Sequence, residues 1–284
     1  MSRKFFVIDA FTPTIGMGNP AAVVILQNSD QPSDLQLQKI ATEFNLSETV
    51  FVVPKDEKGT FGIRWFTPVK EVQLCGHATL AASHALKTVS PTLTSILFES
   101  HIAGKLPVYI NNSHYELHFP CREPSSLGVD DFSAKLGSCF GISREGIMDV
   151  AFHKGSQKYL LVLASEEDVK NAVPNFAQLQ DVEFPHAPLS VTITAKSNDS
   201  RFDVTSRHFA PWVGIDEDPV TGAAHVVLVP YWLKTEFKTV EELRCFQAFP
   251  GRGGELLCKL VDAFTVSLRG EAATFAEGSL HWVV

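Results

Sequence analysis

The sequence predicts an α+β fold of two similar halves, each a central helix wrapped by strands. Three observations carry this expectation: a segment that occurs twice, a helix in each copy that is apolar on nearly every side, and an abundance of β-branched and aromatic runs. The chain reads RWFTPVKEVQLCGHATLAASHAL from Arg64 and RHFAPWVGIDEDPVTGAAHVVLVPYW from Arg207. Both copies share R-x-F-x-P, then a loop, then a Gly that opens a small, apolar segment. The loops run from Pro68 to Gly76 and from Pro211 to Gly222, the second three residues longer, and the two glycines stand 146 positions apart, about half of the 284 residues. A chain of this length also suits two domains better than a single core. The expected division is 1–120 and 121–284, with the last strand free to return to the first domain and CREPSSLGVDD as the linker.

Strands are expected at Phe5–Phe11, Ala22–Leu26, Thr49–Val53, Gly62–Phe66, Tyr159–Ala164, Ser190–Ala195 and Ala263–Leu268. Two amphipathic helices interrupt them. SDLQLQKIATEF opens with a Ser33/Gln36 capping box and lines up Leu37, Ile40, Ala41 and Phe44, and SEEDVKNAV opens with Ser165/Asp168 in the same arrangement. The segments after Gly76 and Gly222 are apolar all round, which demands burial all round. Pro230 is expected to kink or end the second.

Composition narrows the function. The chain is 45% hydrophobic and 20% charged, with a net charge of -8 and no basic cluster, so nucleic-acid binding is not expected. Asp9 breaks the first apolar run too early for a signal peptide or a membrane span. Five scattered cysteines without a Cys-x-x-Cys pair fit a reducing cytoplasm rather than a disulfide framework or a zinc knuckle.

Glu48, in NLSETVFVV, sits where a helix has ended and a buried strand begins, a poorly solvated position suited to proton transfer. The paired helix starts, Gly76-His77-Ala78 and Thr221-Gly222-Ala223, offer backbone N–H groups to a substrate carboxylate or a developing enolate. Asp218 is aimed by Pro219 toward the second start. His77 is expected to be neutral beside the helix N-terminus. A two-thiol racemase built on Cys75 needs a second thiol at the repeat-equivalent position, which is Thr221. Gly16-Met17-Gly18-Asn19-Pro20-Ala21 imitates a dinucleotide motif, but a strand follows it where a helix is required. Gly251-Arg252-Gly253-Gly254 reads equally as an arginine set against an anion and as a turn between strands. His77 and His84 lack a third ligand, so no metal site is expected.

With DAF, GNPAAV, NLSETVF, LCGHAT, DPVTGAAH and RGGEL in this order, the sequence resembles the phenazine-biosynthesis PhzF-like family, which has the diaminopimelate-epimerase fold. The resemblance implies two pseudo-symmetric domains, each a β-barrel-like sheet wrapped around a central helix, with an active site in the cleft, a homodimer, and isomerisation of a small carboxylate without metal or organic cofactor. It also implies that Glu48 moves the proton, with His77 and Asp218 as the further catalytic residues. Ala223 departs from the serine of the characterised bacterial enzyme, so that enzyme's substrate is not expected here. The rival expectations are an amino-acid racemase or epimerase using Cys75, and a catalytically inactive interaction protein that retains the fold.

Overall fold

The computed structural model describes residues 2–56 and 59–281. The chain divides into two compact units, Met1–Phe119 with Ser267–Val284, and Pro120–Val266. The first unit begins with β1 (Ser2–Ala10), β2 (Asn19–Ile25), α1 (Asp34–Phe44), β3 (Glu48–Pro54), β4 (Thr60–Phe66), β5 (Glu71–Val72) and α2 (Gly76–Val89). It continues with β6 (Ser95–Ser100), β7 (Gly104–Asn111) and β8 (His114–Pro120). The second holds β9 (Ser125–Ser126), α3 (Asp131–Ser138), β10 (Ile147–His153), β11 (Lys158–Leu163), α4 (Glu166–Asn171), α5 (Phe176–Gln180) and β12 (Ser190–Lys196). It ends with β13 (Val204–Ala210), β14 (Ile215–Asp218), α6 (Gly222–Thr235), β15 (Leu243–Gln247) and β16 (Gly254–Asp262). β17 (Thr265–Gly270) then leads to β18 (Ala272–His281), which pairs with β1 in the first unit.

The duplication extends well beyond the short motif. In the first unit β1 is antiparallel to β2, β2 parallel to β3, and β3 antiparallel to β4; β4 then carries β5 antiparallel and β6 parallel, and β6 is antiparallel to β7. The same series of pairings runs through β10, β11, β12, β13, β14, β15 and β16. One helix follows the fifth strand of each series. α2 is buried on almost every side, from His77 through Ser83 and at Ala85 and Leu86. Its alanines let β1, β2, β3 and β18 approach closely. α6 is likewise buried from Ala224 through Trp232 and packs on β11 and β16.

Of the kink or early end expected at Pro230, the early end does not occur: α6 runs on to Thr235. Proline removes the N–H that would have bonded the carbonyl four residues earlier. That carbonyl, Val226 O, instead accepts from Arg122 N at 3.0 Å. Downstream, Tyr231 donates to Asp149 Oδ2 at 2.9 Å and Trp232 Nε1 to Thr194 Oγ1 at 3.1 Å, tying the last turn to the sheet.

α1 has the Ser33/Gln36 capping box and buries Leu37 and Ala41, with Ile40 and Phe44 packed beside them. At α4, Ser165 accepts from Asp168 N, but its hydroxyl turns to Glu167 Oε2 at 3.1 Å rather than to Asp168. The glycines at 16 and 18 lie in the turn between β1 and β2, so no helix follows to hold a dinucleotide phosphate. A Cβ at Gly18 would lie 2.2 Å from Ala10 O, so only glycine fits that turn. Gly251 and Gly253, at φ of 78° and 88°, form the turn between β15 and β16. Among the described residues no helix is long and apolar enough to cross a membrane.

Candidate active site

In the first unit the sheet brings Glu48, Cys75 and His77 together. α1 ends at Asn45 in the left-handed conformation, with φ of 50°, and the chain enters β3 three residues later at Glu48. Glu48 and His77 are 8% and 4% exposed, and Glu48 Oε2 lies 2.9 Å from His77 Nε2. Asn19, at the start of β2, places Nδ2 3.2 Å from His77 Nδ1 and holds the ring from the other side. Cys75 Sγ stands 3.5 Å from Nδ1 and 3.9 Å from Nε2.

Burial, reinforced by the Glu48 charge, pushes the Cys75 thiol up to about 11. Cys75 is therefore protonated at neutral pH. Burial also opposes charge on His77, but Cys75 and Glu48 outweigh it and hold the imidazole well above its ordinary value. The expectation of a neutral His77 is corrected accordingly, because a carboxylate in contact outweighs the roughly half charge of a helix end.

Glu48, Cys75 and His77 also place three ligand atoms within 4.8 Å of one another, the only such set of three or more among the described residues. A thiophilic divalent cation suits that donor set. His84 stands apart from it, bonded to Tyr115 Oη and Thr274 Oγ1 at 3.0 Å each.

Gly76 and Ala78 lie in the first turn of α2, whose N-cap, Cys75, makes no side-chain cap. The first-turn N–H groups are thus left for other acceptors. In the second unit Thr221 also leaves α6 without a side-chain cap, since its hydroxyl donates to Asp218 Oδ2. Gln247 fixes this corner: its Oε1 accepts from Thr221 N at 2.8 Å, and its Nε2 donates to Asp218 O at 2.7 Å and to Thr221 Oγ1 at 3.2 Å. Gly222 and Ala223 follow as the first two residues of α6, and Ala223 is exposed.

The registers show which residues correspond between units. Phe66 faces Thr49, and the preceding residue, Glu48, faces Ala21. Phe209 faces Val191, and the preceding residue, Ser190, faces Lys158. Glu48 in one unit thus corresponds to Ser190 in the other, and Ala21 to Lys158. Each unit also clamps its paired loop with an ion pair that the sequence motif only half revealed. Arg64 grips Glu71 through Nε and Nη2 at 2.8 and 2.7 Å, and Arg207 grips Glu217 in the same way at 2.6 and 2.8 Å. The acid follows its arginine by seven residues in one unit and ten in the other, so the three extra loop residues all precede it. Glu217 is therefore a structural partner. Asn19, Lys158, Ser190 and Gln247 were not singled out in the sequence; strand registers alone bring them to these corners.

A cavity of about 470 Å³ in the first unit, lined by Leu37, Phe51, Ile63, Lys55, Arg64 and His101 among others, includes none of Glu48, Cys75 or His77. Lys55 and Arg64 there are already paired with Glu99 and Glu71.

Residues 8–278 match the phenazine biosynthesis-like protein family, PhzC-PhzF. The chain belongs to that family. It is 38% identical over 282 residues to an uncharacterised isomerase of Pseudomonas aeruginosa, with 99% of each chain covered. It is 36% identical over 297 residues to the human phenazine biosynthesis-like domain-containing protein, again with 99% of each covered. Among solved structures it is similar to a PhzF-family phenazine biosynthesis protein of Enterococcus faecalis, with a TM-score of 0.87, 33% identity, and 99% and 100% of the two chains covered. The fold alone is shared more widely. A hydroxyproline epimerase from Agrobacterium vitis matches with a TM-score of 0.57 at 11% identity, covering 98% and 92% of the two chains. The α+β architecture of the diaminopimelate-epimerase type, implied by the family resemblance, is the one found.

Proposed function

We propose that the protein is an isomerase that moves a proton within a small carboxylate-containing substrate, with Glu48 as the proton carrier. The observation that carries this reading is the buried contact between Glu48 Oε2 and His77 Nε2 at 2.9 Å. His77 Nε2, 2.9 Å from Glu48 Oε2, orients the carboxyl group that serves as the base at the start of the cycle. Glu48 takes a proton from a carbon beside the carboxylate or a carbonyl, leaving the electron pair delocalised as an enolate. The protonated Glu48 then returns that proton to a different carbon, so no oxidant or reductant is needed. First-turn N–H groups such as those of Gly76, Ala78, Gly222 and Ala223 suit the developing negative charge. Asp218 completes the proposed set, held as an acceptor by the Thr221 hydroxyl.

The names of the Pseudomonas relatives as isomerases support the class of reaction. A racemase run by Cys75 is less well supported: the thiol is pushed up to about 11, and its repeat counterpart is Thr221, which cannot serve as a second thiol. The deciding experiment follows solvent deuterium by NMR into a panel of cyclic and unsaturated carboxylates. Wild type should label a substrate that Glu48→Gln does not; equal labelling by the variant would falsify the assignment. The homodimer belongs to the same proposal and is read from the mass in light scattering against the 31.2 kDa chain.

A further inference from the structure

The second unit holds a lysine where burial makes one costly. Lys158 opens β11 and is half-buried, and its Nζ donates to Ser190 Oγ at 3.3 Å. Among the described residues it forms no ion pair with a carboxylate, whereas the buried Arg3 and Arg207 each have one. Ser190, Thr192 and His208 around this corner are 1%, 1% and 3% exposed. His208 is engaged by Thr192, whose Oγ1 lies 2.8 Å from its Nδ1. The amine is thus held by the Ser190 hydroxyl near His208, with Asp218 acting on it through its charge rather than as an ion pair in contact.

The duplication sharpens the point. Lys158 faces Ser190 in the register at which Ala21 faces Glu48. One copy carries an acid at this corner; the other carries a cation and a hydroxyl. An ammonium and a serine hydroxyl side by side can offer a carboxylate a charge-assisted bond and a second donor.

We infer that Lys158 and Ser190 form a carboxylate-binding seat in the second unit, with Lys158 as the anchor for the anion. The surroundings are consistent with a cation that is easily discharged. Burial pushes Lys158 down to about 8, with Asp218 on β14 pulling the other way. Burial, then Lys158 and His225 of α6, keep His208 of β13 well below its ordinary value and therefore neutral. The anchoring charge of this seat is thus that of Lys158.

Calorimetry on the full chain tests the seat with benzoate and its neutral analogue benzamide. Wild type should prefer benzoate. Lys158→Met should lower benzoate affinity about tenfold or more, the worth of a hydrogen bond to a charged group, and leave benzamide unchanged. Lys158→Arg should recover most of the binding. Benzoate affinity of the wild type should fall as pH rises through about 8, while that of Lys158→Arg persists. A wild type that does not discriminate benzoate from benzamide, or a Lys158→Met variant that binds benzoate as wild type does, overturns the inference. The two readings fail separately. Undiminished deuterium exchange in Glu48→Gln removes the proton carrier and leaves the benzoate result standing, whereas undiminished benzoate binding in Lys158→Met removes the anchor and leaves the exchange result standing.

Discussion

Arg207 meets Glu217 through two parallel nitrogen–oxygen contacts, with 4% and 11% of the two side chains exposed, and spends its remaining terminal nitrogen on Ala172 O at 2.7 Å. The guanidinium is therefore fully committed to holding β13, β14 and the segment after α4. Removing the acid strands a buried charge. Glu217→Ala is expected to cost about 3–5 kcal/mol in urea unfolding. Glu71→Ala, at the equivalent but more solvated pair where Arg64 is 26% exposed and also reaches Asp34, should cost about 1 kcal/mol. Equal losses at the two sites would contradict the difference in burial.

Proton transfer by Glu48 predicts a split between the two residues nearest His77. Glu48→Gln should lower solvent-deuterium exchange by about 10²-fold or more while circular dichroism stays that of the wild type. Cys75→Ala should retain exchange within a few-fold, because a thiol raised to about 11 is the wrong species to act as a base at neutral pH. Loss of exchange in the cysteine variant with Glu48 intact would favour the thiol instead.

His225 makes stability sensitive to acid. It is fully buried, its Nδ1 lies 2.9 Å from Thr221 O, and burial pushes it down to about 4, with Thr221 opposing. A histidine depressed on folding contributes stability that is present above its unfolded value, near 6.5, and is lost as pH falls toward the folded value. The loss between about pH 6.5 and 4 should be about 3 kcal/mol, an order-of-magnitude figure. Thr79 holds the corresponding place in α2, its hydroxyl donating to Cys75 O at 2.6 Å. His225→Thr should therefore flatten the acid limb of an unfolding-versus-pH curve; an unchanged limb assigns the acid sensitivity elsewhere.

His77 acts with the opposite sign. Its raised value means that its contact with Glu48 stabilises the fold fully below the unfolded imidazole value and loses that contribution as pH rises through the folded one. Cys75, Glu48 and Asn19 are the groups that face it. His77→Asn should remove this decline on the alkaline side. A decline of the same size in the variant would show that other groups cause it.

Pro230 should prove nearly neutral. Proline costs about 3 kcal/mol in an exposed helix interior, mainly through the missing bond and the ring clash. Here Arg122 N already satisfies Val226 O at 3.0 Å. Pro230→Ala is expected to stabilise by less than about 1 kcal/mol, measured by thermal and urea unfolding.

Much of the fold was legible because its signals are local or repeated. The run at Gly62–Phe66 located β4, the all-apolar segments located α2 and α6, and the Ser33/Gln36 box located α1, whereas β13, which carries the second R-x-F-x-P motif, was not among the expected strands. The hairpin of β7 and β8 and the long β18 escaped notice. KLPVYIN and ATFAEGSLH mix polar and apolar residues with one face solvated, so they lack the dense β-branched run that marks a buried strand. At the site, Glu48 and His77 were found because each lies beside a recognisable boundary, a strand start or a helix start. Asn19, Lys158 and Gln247 were not, because pairing with strands distant in sequence creates their contacts with His77, Ser190 and Thr221. Pro230 misled for the same reason: the donor that replaces its bond, Arg122, lies more than a hundred residues away.

The shared register of Ala21 with Glu48 and of Lys158 with Ser190 bears on how such an enzyme evolves. In an assembly of identical copies every substitution appears twice, so a corner that gains an acid gains it everywhere. Fusing two copies into one chain lifts that restriction, and each corner drifts under its own selection. The carboxylate on one side and the amine on the other record that independence, and they suggest a direct way to retrace it: Lys158→Ala with Ser190→Glu would give the second corner the residues of the first.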